Sequence, residues 1–161
     1  MSSGVMAMRR GRDAVSGSTY SCMASVDPKT LEIREYVLPD SASRPRRITI
    51  TSDDIVWYAD FSRGYLGRLD STTGKVTEWP SPSGPKSAPY GISAIHGVLW
   101  YSESEASPNT IVRFDPKTQK FQSWTIPGGG NIVRNTDVTP DNNWVLANSL
   151  TNEVTLVTLP K

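Results

Sequence analysis

A short phrase recurs three times along this chain, each copy placing an aromatic nine positions after an aspartate: Asp27…Tyr36, Asp70…Trp79 and Asp115…Trp124. The aspartates follow one another after 43 and then 45 residues. A period of that size is one supersecondary unit copied along the sequence, and it excludes most single-core folds. Helical periodicity is nearly absent. Short runs rich in Val, Ile, Thr, Tyr and Trp are broken at intervals by Gly, Pro, Asp, Asn and Ser, as in a succession of hairpins. The predicted class is all-β.

The clearest unit runs from 45 to 82, with strands at Arg46–Thr51, Ile55–Asp60, Tyr65–Asp70 and Lys75–Trp79. A second, 89–127, repeats it with a two-residue turn at His96-Gly97, which suits a tight hairpin. A third, 133–160, has three strands, and only two strands, Thr19–Asp27 and Leu31–Leu38, precede the first (19–39). Four-stranded units at this period are propeller blades, and propellers use about 4–8 of them. The expectation is a partial β-propeller over 19–161, an arc of about three and a half four-stranded blades, behind a disordered N-terminal tail at 1–18. Open blade edges offer a route to self-association.

Composition narrows the partners. The net charge is +1, which argues against nucleic acid and against an anionic membrane surface. Arg9, Arg10 and Arg12 form only a short cluster, expected in the solvated tail. No run approaches the roughly 18 apolar residues of a membrane helix. The arginines near the start have no apolar stretch after them, so no secretory signal is read and the compartment defaults to the cytoplasm. Cys22 is the single cysteine of the sequence, so an internal disulfide cannot form.

Hairpin symmetry locates the candidate site. The first two strands of a blade are antiparallel, so the start of one lies beside the end of the next. Counting outward from each turn pairs Arg46 with Asp60, Tyr90 with Glu103, and Arg134 with Asn148. First strands line the central channel of a propeller, so these six residues are expected at one channel mouth, as contacts for a small or anionic ligand. The competing reading is that the partners merely satisfy each other across the strands. The lone histidine, His96, falls in a turn at the other end of its strands. The recurrent Trp57, Trp79, Trp100, Trp124 and Trp144 read as packing between blades.

Ile55-Val-Trp-Tyr-Ala-Asp60, Gly67-Arg-Leu-Asp70, Gly74-Lys-Val-Thr-Glu-Trp79 and Ala88-Pro-Tyr-Gly-Ile92 resemble the blade motifs of the streptogramin lyases, the virginiamycin B lyase family. Those blades read approximately G-P-H-G-I…N-V-W-F-T-E…I-G-R-x-D-P-x-T-G…E-[YF], and the likeness runs from about Thr19 to Pro160. The resemblance implies a seven-bladed propeller that opens a cyclic depsipeptide ester by carbon–oxygen elimination, with Mg2+ and a catalytic histidine. It carries that histidine onto Arg46, Tyr90 and Arg134, and the family's glutamate onto Asp60, Glu103 and Asn148. Only Glu103 matches, which makes it the metal candidate and, with Tyr90, a catalytic candidate. Arginine stays protonated and cannot serve as a base, and tyrosine ionises near 10, too high without strong perturbation. Two functions follow. One is a lyase-like protein lacking its histidine; the other is a non-catalytic binding propeller, or a module of a larger sensor or redox protein.

Overall fold

A computed structural model describes residues 5–12 and 19–159, with side chains from residue 21 onward. Among the described residues, fourteen strands form four antiparallel sheets of three, four, four and three strands. The first sheet holds β1 (Val5–Arg12), β2 (Thr19–Val26) and β3 (Ile33–Val37). The second holds β4 (Pro45–Ile50), β5 (Ile55–Asp60), β6 (Tyr65–Asp70) and β7 (Val76–Pro80). The third holds β8 (Pro89–Ile95), β9 (Val98–Glu103), β10 (Thr110–Asp115) and β11 (Lys120–Thr125). The fourth holds β12 (Val133–Val138), β13 (Trp144–Asn148) and β14 (Glu153–Val157). Each sheet is a meander of sequence neighbours, the blade predicted from the repeat.

The first blade departs from expectation. β1 pairs with β2 from Val5↔Val26 to Arg12↔Thr19, so residues 5–12 are a strand and not a disordered tail; the rest of the 1–18 expectation lies outside the described residues. The repeat aligns β2 with β6 and β3 with β7, because Leu38 N donates to Ser21 O as Ser81 N donates to Gly64 O and Ile126 N to Asn109 O. The first blade therefore shows its outer three strands, and the fourth its inner three.

Blades stack face to face, and each of the three interfaces has its own core. Met23, Tyr36 and Leu38 meet Val56, Tyr58 and Leu69 between the first and second blades. Ile55, Trp57 and Leu66 meet Leu99, Val112 and Phe114 between the second and third. Trp100 and Ile111 meet Val133, Trp144 and Leu146 between the third and fourth. Alternate side chains of a strand face opposite ways, so a strand covered on both faces is buried throughout, as all six residues of β5 are. The tryptophans pack as the sequence suggested. Trp57 stacks on Trp79 at 5.7 Å and Trp100 on Trp124 at 5.7 Å, each pair facing the next blade. His96 sits exposed at the β8–β9 turn with φ 51°.

The repeated aspartates are turn makers. Asp27 Oδ1 accepts from Lys29 N and Thr30 N, Asp70 Oδ1 from Thr72 N and Thr73 N, and Asp115 Oδ1 from Lys117 N, at 2.8–3.2 Å. Those backbone donors hold all three carboxyls below their ordinary value of 3.8. The unfolded chain then takes up these protons first as pH falls. The stabilisation is complete above the ordinary value and is lost as pH drops through the lower folded values. Urea-unfolding midpoints should thus fall in acid below about pH 4, and less steeply in Asp70→Ala than in the parent.

Gly91 marks a close approach between inner strands: a Cβ there would lie 2.6 Å from Thr136 Cγ2 and 3.1 Å from Val133 O on β12. Gly91→Ala should cost about 1–3 kcal/mol, the usual range for overpacking, read as a lower midpoint in thermal unfolding.

Candidate functional site

The register corrects the predicted pairs by one residue. Pro45, not Arg46, lies opposite Asp60; Pro89, not Tyr90, opposite Glu103; Val133, not Arg134, opposite Asn148. In all three blades the pairing slips at this point, between Pro45 and Arg47, Pro89 and Ile92, and Val133 and Asn135. The extra residue is a β-bulge, which re-aims a side chain at a strand end. Equal counting from the turn assumes an unbroken ladder and misses it.

The bulge separates the six predicted residues into two sets. Asp60 and Glu103 are 0% exposed and Asn148 3%. Arg46 and Arg134 are exposed and Tyr90 half-buried.

The buried set ties loops to blades. Glu103 accepts from Ser81 Oγ at 2.6 Å, Ser83 N at 2.9 Å, Ser83 Oγ at 2.6 Å and Thr110 Oγ1 at 2.5 Å, so both oxygens are occupied and the linker into β8 is fastened. Asp60 Oδ1 accepts from Arg44 N at 2.8 Å and Ser62 N at 3.2 Å. Its Oδ2 makes no hydrogen bond of good geometry but lies 3.3 Å from Arg63 Nε in an ion pair. Arg63 also pairs with Glu78 at 2.7 Å, which accepts the Tyr58 hydroxyl at 2.8 Å. Asn148 donates to Thr155 Oγ1 at 2.7 Å, while its buried Oδ1 has no partner. Burial pushes the Tyr58 and Tyr101 hydroxyls well above the usual tyrosine range, so neither serves as a base.

These carboxyls do not fit magnesium. A hard cation needs several oxygens converging on one point, whereas Glu103 is taken up by Ser81, Ser83 and Thr110, and Asp60 by Arg44 N, Ser62 N and the Arg63 guanidinium. Among the described residues no group of three or more His, Cys, Asp or Glu is placed to hold a metal.

Of the exposed set, the Arg46 and Tyr90 side chains come together, and Arg134 joins them through its backbone. The Arg46 guanidinium lies 5.1 Å from the Phe61 ring centre, and Phe61 meets Tyr90 edge-on at 5.7 Å. Arg47 lies 5.4 Å from the Tyr90 ring and reaches on to the fourth blade. There its Nε donates to Arg134 O at 2.9 Å and an Nη to Asn135 Oδ1 at 3.3 Å. These contacts link the inner strands of three blades, with Arg46, Phe61, Tyr90 and Arg47 joined through their side chains and Arg134 through its backbone carbonyl. Sequence reasoning missed Phe61 and Arg47. Arg47 had a visible signal, because it occupies the place that Gly91 holds in the next blade.

A cleft of about 810 Å³ opens elsewhere, between the first and second blades at the turn end, where Asp27, Arg34, Tyr36 and Asp54 line it. None of the six predicted residues reaches it. With no innermost strand among the described residues of the first blade, Ile50 is left 49% exposed there.

Solved structures share this architecture. The chain superposes on virginiamycin B lyase from Staphylococcus aureus with a TM-score of 0.70 at 20% identity, covering 99% of this chain and 57% of that one. A second streptogramin B lyase gives 0.70 at 22% identity, over 99% and 56%. The fold is a streptogramin lyase-like propeller arc. It spans a little over half the length of those lyases. The extracellular domain of a one component system from B. thetaiotaomicron also matches, with a TM-score of 0.63 at 12% identity, over 94% of this chain and 21% of that one. No family model matches the chain, and no curated protein does. No described helix is long and apolar enough to cross a membrane.

Removing the Glu103 carboxyl strands four donors, three of them hydroxyls. Glu103→Ala should lower stability by about 3 kcal/mol in urea unfolding, whereas Glu103→Gln should retain more, since those hydroxyls can turn to accept from an amide.

Proposed function

We propose that this chain is a non-catalytic binding propeller whose recognition surface is the arginine–aromatic mouth, and that its ligand is a small aromatic anion. The observation that supports it most is the convergence of the three histidine-equivalent positions. Phe61 and Arg47 link them, Arg134 by its backbone carbonyl, and they supply arginine and tyrosine where elimination needs a base poised near the working pH. Arg44, Arg46, Arg47 and Arg134 are exposed at this end, while Asp60 and Glu103 are withdrawn from it by burial. Arginine offers a planar fork to carboxylate, phosphate or sulfate, and Phe61 and Tyr90 offer ring contacts. The likeness to an extracellular domain of a one component system suits a recognition role; the likeness to the lyases is one of fold, and no step through magnesium is derived from it.

The alternative is lyase-like ring opening, and one pair of measurements separates the two. Phenyl phosphate titrated by calorimetry should bind, and Arg46→Ala and Arg134→Ala should each weaken it by about tenfold, or about 1.4 kcal/mol. Incubation with a streptogramin B antibiotic and magnesium should leave the antibiotic cyclic by mass spectrometry. A linear product would overturn this reading, as would unchanged affinity in both variants.

A further inference from the structure

The arginines of the mouth are not alike. Among the described residues none of Arg44, Arg46, Arg47 and Arg134 pairs with a carboxylate; the ion pairs belong to Arg63 and Arg113. Arg46 rests on Phe61 by ring contact. Arg47 is held far more closely. Its Nε donates to Arg134 O at 2.9 Å, one terminal nitrogen to Arg46 O at 3.2 Å and the other to Asn135 Oδ1 at 3.3 Å. The Tyr90 ring centre lies 5.4 Å from the same guanidinium.

The bulges supply this cradle. A bulge leaves its extra residue out of the ladder, and Arg46 and Arg134 are those residues in β4 and β12. Arg47 collects the carbonyls of both. It reaches β12 because β8 and β12 lie close at Gly91, where a Cβ would meet Thr136 Cγ2 at 2.6 Å. The Ser93 and Thr136 hydroxyls, 3.0 Å apart, join the same two strands, and Trp144 Nε1 donates to Ser93 Oγ at 3.0 Å. The acceptors on β12 thus stand on a fixed frame. Every residue of the cradle lies on the inner strands of the second, third and fourth blades.

A guanidinium carries five N–H groups. Neutral oxygens take three of them here, which leaves one on each terminal nitrogen and the charge unpaired. Two such groups in one plane are the fork that a carboxylate or phosphate takes bidentately. The side chain is ordered before any ligand arrives, and preorganisation of that kind raises affinity.

We infer that Arg47 is the anion anchor of the mouth, a fork fixed in advance and selective for an oxyanion that offers two oxygens at once, a carboxylate or a phosphate. Arg46 and Arg134, whose side chains have no such cradle, contribute charge rather than geometry. The inference rests on the ligand reading above and names the residue that grips the anionic group.

Calorimetry with phenyl phosphate tests it through substitutions that keep the charge. Lysine is a point charge and cannot make the fork. Arg47→Lys should weaken binding by about tenfold, whereas Arg46→Lys should stay within about twofold of the parent. Asn135→Ala alters no charge and removes one of the three pins, so it should weaken binding by about threefold. All three positions are exposed, and circular dichroism verifies the folding of each variant. Unchanged affinity in Arg47→Lys overturns the inference. An equal loss in Arg46→Lys does so too, as does an Asn135→Ala protein that binds like the parent. A parent that does not take phenyl phosphate removes the ligand reading and this inference together. A parent that binds, and weakens in Arg46→Ala and Arg134→Ala but not in Arg47→Lys, keeps that reading and loses this one.

Discussion

Everything in this molecule hangs on the coverage of both faces of each inner blade. A lone four-stranded sheet with apolar side chains on both faces would expose both sets to water. Stacking converts that liability into cores, and burial of such side chains is the dominant favourable term in folding. β5 shows the consequence most directly: Val56 and Tyr58 serve one interface while Trp57 and Ala59 serve the next. The blade is therefore stable only between neighbours, which is the general logic of repeat architectures.

On that frame the polar residues divide by depth. The aspartate or glutamate at the end of each complete blade's second strand has been turned inward and spent on loop fastening, with Ser81, Ser83 and Thr110 around Glu103 and Arg44, Ser62 and Arg63 around Asp60. The residue one step along the neighbouring strand is thrown outward by a bulge. A single inserted residue thus decides which side chain holds the fold and which meets the solvent. The same fold with histidine at the bulge and an unengaged carboxyl beside it would present different chemistry at the same mouth.

Much of the architecture was legible because the repeat is written in turns. Asp27, Asp70 and Asp115 recur since each must accept backbone amides at the same corner, and the strand limits around them were read to within a residue or two. The mouth was legible as a location, since the starts of the inner strands must gather there. Its contacts were not. A bulge leaves no mark in hydrophobic alternation, so counting outward from the turn sets Arg46 against Asp60 where Pro45 stands. The strand β1 was missed because Val5–Arg12, with three arginines and a glycine, reads as polar tail; its place in the sheet comes from β2, which offers a free edge along eight residues.

Arg47 has a mechanical implication. Its guanidinium takes the chord rather than the arc, passing over the third blade to grip the fourth. One side chain thus ties the spacing of the second and fourth blades to the contacts made at the mouth.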